Sequence, residues 1–144
     1  MDFLVFVILR IKLARNSPIV DTVLKMRLKM KTITELMAGA SDINKIRVEE
    51  AMNKLNDTNV KFIDVSDKVK FDDGTIENAT NLNRGILEFY LAKNSFHEND
   101  YIKYNSDNEY IVFCLAGPRD ALATKTMKEM GYNNVKNLIG GYKA

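Results

Sequence analysis

Residues 109–131, EYIVFCLAGPRDALATKTMKEMG, show the pattern of a strand, a tight loop and a helix in succession. Apolar residues fill most of 109–115, and this pattern favours a buried strand. Gly117 and Pro118 then break the pattern, after which apolar residues return at helical spacing until a closing glycine. We therefore predict a strand over 109–115 and a helix over 119–131.

The chain from residue 43 onward continues the same alternation of short apolar segments and helical segments. Such alternation is typical of an α/β fold, in which a central parallel sheet carries helices on both faces through right-handed crossovers. Five strands are expected at 43–47, 59–66, the end of 72–82, 109–115 and 133–141, helices at 48–57, 84–93 and 119–131, and a polar loop at 94–108.

The N-terminal part of the chain differs from this body in composition. Residues 1–16 form an apolar leader of uncertain origin whose apolar run is too short to span a bilayer, so no integral membrane span is expected. It also lacks the charged start and cleavage site of a signal peptide, although a short anchoring or targeting role remains open.

Residues 17–39 predict a basic amphipathic helix that begins at Ser17-Pro18 and places apolar residues at spacings of three and four. Packing on its own domain is the favoured interpretation. A homodimer contact or a basic membrane-surface helix are the alternatives. The remaining residues, 40–144, are expected to form one domain.

The bulk composition excludes several classes of function. One cysteine rules out an internal disulfide framework and favours a reducing compartment, so we expect a cytoplasmic protein. With one histidine as well, there is no basis for a zinc cluster, and neither a metal nor a cofactor is predicted. A net charge of +2 is too small to indicate a nucleic-acid partner.

The single cysteine, Cys114, falls where the predicted strand gives way to the predicted helix. Ligands of open α/β sheets bind at the carboxyl ends of strands. Free amides and the helix dipole there favour the thiolate and can shelter an anion on the sulfur. Arg119 adds a cation for an incoming oxyanion, so the pattern indicates nucleophilic attack on an anionic substrate. A buried cysteine that acts as a small hydrophobe is the alternative.

Several separate motifs give the chain from about Ile43 to Ala144 a resemblance to the rhodanese-like domain family. The matching residues are Asp64-Val65, then Gly74, Ile76 and Ala79, then Arg84-Gly85 with Leu87-Glu88-Phe89, then Cys114 with Gly117 and Arg119, and finally Ala121-Leu122-Ala123, Gly131-Tyr132, Asn134-Val135 and Gly140-Gly141-Tyr142.

The resemblance implies a sulfurtransferase that carries sulfur as a Cys114 persulfide, from thiosulfate or a similar small donor to a thiol or cyanide acceptor. Within that family, Cys-x4-Arg is the compact loop associated with sulfur, whereas related phosphatases and arsenate reductases use Cys-x5-Arg. The expected roles are nucleophile for Cys114, substrate binding for Leu115, Ala116, Gly117, Pro118, Arg119, Asp120 and Arg84, and support for Asp64.

Four departures from the family pattern keep other functions open. Ser66 stands in place of an arginine, Thr75 and Glu77 replace histidine and proline, and Pro118 removes one amide from the loop. Asp120 suits the first turn of a helix but opposes a dianionic donor. The alternatives are a catalytically silent module that binds a partner or senses redox state and, disfavoured by loop length, a small cysteine-dependent phosphatase or arsenate reductase.

Overall fold

The computed structural model describes Pro18, Asp21, Thr22, Lys25, residues 30–93, Ser95 and residues 108–144. The chain divides into two units, Met1–Ile33 and Thr34–Ala144. The second unit contains all five strands of the sheet.

Helices and strands alternate along the chain from Ile33 onward, as predicted for the part from residue 43. In chain order they are α1 (Ile33–Ala38), β1 (Lys45–Ile46), α2 (Val48–Met52), β2 (Val60–Asp64), α3 (Lys68–Asp73), β3 (Thr80–Asn81), α4 (Leu87–Leu91), β4 (Glu109–Phe113), α5 (Pro118–Glu129) and β5 (Val135–Leu138), followed by a 3₁₀ turn at Gly141–Lys143.

The five strands form one parallel sheet in the order β1-β5-β4-β2-β3, so the prediction of a five-stranded parallel α/β fold is confirmed. β4 lies at the centre, where Val112 pairs with Ile63 of β2 on one side and with Asn137 of β5 on the other. The carboxyl end of β4 is therefore enclosed by neighbours on both sides, as the position of a binding site in an open α/β sheet requires.

The side chains of β4 divide between two apolar cores because successive residues of a strand point to opposite faces. Tyr110, Val112 and Cys114 belong to the core that also contains residues of α4 and α5. Ile111 and Phe113 belong to the core on the other side, with Ala51 of α2 among its members. Helices thus cover both faces of the sheet, and this explains why β4 reads as a continuous apolar run.

The N-terminal helix differs from its prediction in the part that the structure describes. Pro18, Asp21, Thr22 and Lys25 are helical, but residues 30–32 are not, and a separate helix, α1, begins at Ile33. A new start at this point is consistent with the local sequence, because residues 32–35, Thr-Ile-Thr-Glu, match the signature of a capping box. The homodimer role of this segment stays a prediction.

Two further findings concern segments outside the sheet. α3 is not evident from the sequence, because its six residues are too few to show a helical period. Over the part of the chain that the structure describes, no helix is long and apolar enough to cross a bilayer. The apolar leader of residues 1–16 and most of the polar loop at 94–108 lie outside the described residues.

Candidate active site

Cys114 follows directly on the central strand β4 and is 2% exposed. Its Sγ accepts a hydrogen bond from the backbone N–H of Gly117 at 3.1 Å. Gly117 has a φ of +117°, a conformation that favours glycine, and precedes the first residue of α5. The sulfur therefore lies at the N-terminus of a twelve-residue helix, where free amides and the helix dipole favour negative charge.

Pro118 occupies the first position of α5, a position that proline tolerates well. The amide that reaches the sulfur belongs to Gly117, so the missing N–H of Pro118 does not remove this hydrogen bond. Ala116 and Pro118 are exposed on the loop, whereas Leu115 is partly buried.

The 3₁₀ turn fixes the beginning of this loop through its backbone. The N–H of Tyr142 donates to the carbonyl oxygen of Cys114 at 2.8 Å, and the N–H of Lys143 donates to that of Leu115 at 3.2 Å. A Cβ atom on Gly141 would overlap the Cys114 carbonyl oxygen and lie 3.1 Å from that of Leu115. Glycine at 141 thus permits the close approach that holds the loop.

Arg119 points toward a loop that follows β2. Its Nη1 lies 3.2 Å from Oδ2 of Asp67, and both side chains are substantially exposed, at 43% and 64%. The other oxygen of Asp67 accepts a hydrogen bond from Asn83 Nδ2 at 2.9 Å. The sequence does not single out Asp67, because nothing in its local pattern distinguishes it from other surface carboxylates.

The guanidinium of Arg84 is bound by two neighbouring helices. Nη1 donates to Glu88 of α4 and Nη2 to Oγ1 of Thr126 in α5, each at 3.0 Å. These contacts join the two helices. The expected role of Arg84 in donor binding stays a prediction.

Asp64, at the end of β2, organises the turn that follows it. One carboxylate oxygen accepts the N–H of Ser66 at 2.9 Å, and the other accepts the hydroxyl of Thr75 at 2.7 Å. Thr75 stands in place of the family's histidine, and here it satisfies a buried carboxylate. This geometry is that of a structural anchor, as expected for an acidic residue at a strand end.

Asp120 lies beneath the loop and is fully buried. Its Oδ2 accepts the N–H of Cys114 at 3.3 Å. Among the residues that the structure describes, Oδ1 of Asp120 is the one buried side-chain oxygen or nitrogen with no hydrogen-bond partner. Burial raises the pKa of this carboxyl, while the Asn137 side chain and the N–H groups of Cys114 and Ala121 oppose that shift.

The structure thus brings Cys114, Gly117 and Asp120 together, and directs Arg119 to Asp67 and Arg84 to Glu88 and Thr126. Asn137, which the sequence does not single out, joins the buried group from β5, and its Nδ2 donates to the Val112 carbonyl at 3.5 Å. Within the described ranges, no three His, Cys, Asp or Glu side chains are grouped so that they could hold a metal ion. His97 lies outside these ranges.

Two solved structures illustrate the proteins that share this fold. A Rhodopseudomonas palustris protein of unknown function, described as a possible tyrosine phosphatase, superposes with a TM-score of 0.68 and 26% identity, over 79% of this chain and 88% of that one. The human single-domain sulfurtransferase TSTD1 superposes with a TM-score of 0.61 and 24% identity, over 69% of this chain and 91% of that one. At 24% identity, the likeness to TSTD1 shows a shared fold and no more.

Curated relatives at similar identity include proteins of sulfur metabolism. A putative mitochondrial thiosulfate sulfurtransferase of Schizosaccharomyces pombe is 28% identical over 60% of this chain, and a putative sulfur carrier protein of Bacillus subtilis is 27% identical over 73%. A tRNA uridine(34) hydroxylase of an Enterobacter strain is 27% identical over 72%. The chain spans 63%, 52% and 29% of the lengths of these three proteins.

The family model for the rhodanese-like domain matches residues 47–144, which include β2 to β5, the cysteine loop and the 3₁₀ turn. This match extends over more than half of the chain and agrees with the motifs and with the sheet order. The chain belongs to the rhodanese-like domain family.

Proposed function

We propose that this protein is a sulfurtransferase that carries sulfane sulfur as a persulfide on Cys114. The observation that carries the proposal is the position of the thiol at the end of β4, with the Gly117 N–H 3.1 Å from Sγ and α5 directly behind it. The Gly117 amide and the N-terminus of α5 together stabilise a thiolate and, after reaction, the terminal sulfur of a persulfide anion.

The reaction proceeds in two transfers. The Cys114 thiolate attacks the outer sulfur of thiosulfate, the bond between the two donor sulfurs breaks, and sulfite leaves with the bonding electron pair. An acceptor thiolate or cyanide then attacks the terminal sulfur of the persulfide, and the Cys114 thiolate leaves. Because the chain has one cysteine, the acceptor must come from another molecule.

The charges around the loop bear on the choice of donor. Arg119 is the cation nearest in sequence to Cys114, but Asp67 already pairs with it. Thiosulfate, a dianion, must compete with this carboxylate for the guanidinium. A donor with less negative charge avoids this competition, so small persulfides belong in the same assay as thiosulfate.

The test is an intact-protein mass spectrum after incubation with thiosulfate, for wild type and Cys114→Ser. We expect wild type alone to gain the mass of one sulfur atom, and cyanide to remove that atom as thiocyanate. A folded wild-type protein that gains no sulfur from thiosulfate or from a small persulfide would refute the proposal.

A silent binding module is the second candidate, and the 2% exposure of Cys114 is the observation that favours it. Alkylation of the native protein separates the two candidates, because a donor needs the same access to Sγ as a small alkylating agent. A thiol that reacts only after unfolding supports the binding module. Hydrolysis of an aryl phosphate by wild type but not by Cys114→Ser would instead indicate the phosphatase alternative.

A further inference from the structure

The buried carboxyl of Asp120 is not used by the sulfur transfer described above. It is fully buried, it lies six residues after the nucleophile, and its Oδ1 has no partner. A buried polar atom without a partner costs free energy, so an unpaired oxygen beside a reactive group requires an explanation.

The groups that face this carboxyl carry little positive charge. Cys114, which follows β4, contributes its N–H and its thiol, β5 contributes the uncharged side chain of Asn137, and α5 contributes the N–H of Ala121. The cation next to it in sequence, Arg119, pairs with Asp67. In the described part of the chain, no hydrogen bond or ion pair joins a lysine or arginine to the carboxyl. Among the described groups that face the carboxyl, the Cys114 thiol is the one that can ionise.

Two ionised groups cannot share this site without a large cost. Cys114 is 2% and Asp120 0% exposed, and two adjacent negative charges in such a medium repel each other strongly. One proton held between them leaves a single negative charge.

We propose that Asp120 takes up the proton of the Cys114 thiol, so that the pair keeps one proton and one negative charge throughout sulfur transfer. The inference rests on the proposed function, because it supplies the proton acceptor for that nucleophile.

The proton and charge balance is complete within the pair. The thiol S–H bond breaks, an O–H bond forms on the Asp120 carboxyl, and the negative charge moves from the carboxylate to Sγ. The thiolate then attacks the donor sulfur as described above, while Asp120 stays neutral. A neutral carboxyl removes the repulsion that its charge would exert on a dianionic donor and on the persulfide. After the second transfer restores the thiolate, the carboxyl can return the proton.

The sulfur has support for negative charge that Oδ1 lacks, although Oδ2 of the same carboxyl accepts the N–H of Cys114. Sγ accepts the Gly117 N–H at 3.1 Å and lies at the positive end of α5, whereas Oδ1 accepts no hydrogen bond. Burial raises the pKa of Asp120, which is the direction that proton uptake by this carboxyl requires.

The test is the pH dependence of iodoacetamide alkylation, compared between wild type and Asp120→Asn. In wild type, proton sharing fixes the thiolate fraction between the two ionisations of the pair, so we expect a plateau of reactivity on the acid side of the profile. In Asp120→Asn, the plateau disappears and the rate falls about tenfold per pH unit below the ionisation of the thiol.

The matched control is Asp64→Asn, which neutralises a second buried carboxylate. Both oxygens of Asp64 have partners, and the isosteric amide can keep both contacts. We expect this variant to retain the plateau. A wild-type profile with a single ionisation, or a plateau that survives in Asp120→Asn, would overturn the inference.

A measurement on wild type alone covers the case in which Asp120→Asn does not fold. Thiolate ultraviolet absorbance and the infrared carbonyl band of a protonated carboxyl must occur together over the plateau. Thiolate absorbance that appears only after this band has vanished refutes proton sharing. Neither measurement uses a sulfur donor, so a shared proton without persulfide formation overturns the proposed function alone, and persulfide formation without a plateau overturns this inference alone.

Discussion

Gly141 provides a direct test of whether the 3₁₀ turn holds the cysteine loop in place. In Gly141→Ala, the new Cβ overlaps the Cys114 carbonyl oxygen and lies 3.2 Å from the nitrogen of Ala116. Since these are backbone atoms, they cannot rotate away as a flexible side chain would. Either the turn or the loop must therefore move.

The expected loss of stability has two parts. Alanine at a φ of +69° costs about 1–2 kcal/mol, because the left-handed conformation crowds a Cβ atom. Separating the turn from the loop breaks the hydrogen bonds that Tyr142 and Lys143 donate, at about 1 kcal/mol each. Gly141→Ala should thus lose about 3–4 kcal/mol, which lowers Tm by roughly 4 °C per kcal/mol.

Gly131→Ala is the matched control for this substitution. Gly131 also has a positive φ, of +102°, but no neighbouring atom lies within 4 Å of the place that a Cβ atom would take there. The control should lose only the conformational part, about 1–2 kcal/mol. Thermal unfolding of both variants measures the difference, and the rate of persulfide formation should fall on the order of tenfold further in Gly141→Ala because the nucleophile is displaced. Equal melting temperatures and equal rates for the two variants would refute the clamping role of the turn.

Two further predictions concern ion pairs at different depths. Asp67→Asn frees Arg119 and should lower the KM for thiosulfate roughly threefold, with no effect on an uncharged donor, because the pair is exposed and weak; an unchanged thiosulfate KM contradicts this. Burial opposes ionisation of Glu109, but hydrogen bonds from Lys136 and Lys54 outweigh it and lower its pKa below the ordinary 4.5. The stabilisation by ionised Glu109 is therefore fully present above its ordinary pKa of 4.5. It is lost as the pH falls through the lower pKa that the carboxyl has in the folded protein. Glu109→Gln should cost about 2 kcal/mol at neutral pH and progressively less in acid, as urea unfolding at several pH values would show; a cost independent of pH contradicts this.

The central strands of the sheet can be predicted from the sequence because they carry a strong signal. The apolar patterns at 109–115 and 59–66 predict strands, and β4 and β2 lie within them. A strand buried on both faces must be apolar throughout, so its pattern survives in the sequence. The position of Cys114 follows from the same pattern, since the cysteine ends that apolar run.

The role of Asp120 illustrates what a sequence does not reveal. From the sequence, Asp120 is expected to bind substrate, and its position in the first turn of a helix is a sufficient structural reason for a carboxylate there. In the structure, the docking of α5 turns this side chain toward Cys114 and buries it fully. Which face of the first turn points inward depends on tertiary packing, and the weak apolar period of α5 does not fix it. The Asp67–Arg119 ion pair cannot be predicted from the sequence either, because its members are 52 residues apart and only the tertiary fold brings them together.

The backbone contacts between the cysteine loop and the 3₁₀ turn also affect the timing of folding during translation. The ribosome completes Cys114 before it synthesises β5 and the 3₁₀ turn, in which the amides of Tyr142 and Lys143 fix the carbonyl groups of the loop. A nascent chain that stops short of Gly141 can therefore carry its nucleophile without the geometry that holds it. The site proposed for sulfur transfer is therefore completed late in synthesis, and a ribosome-bound chain arrested before this turn should contain a thiol whose loop is not held in place.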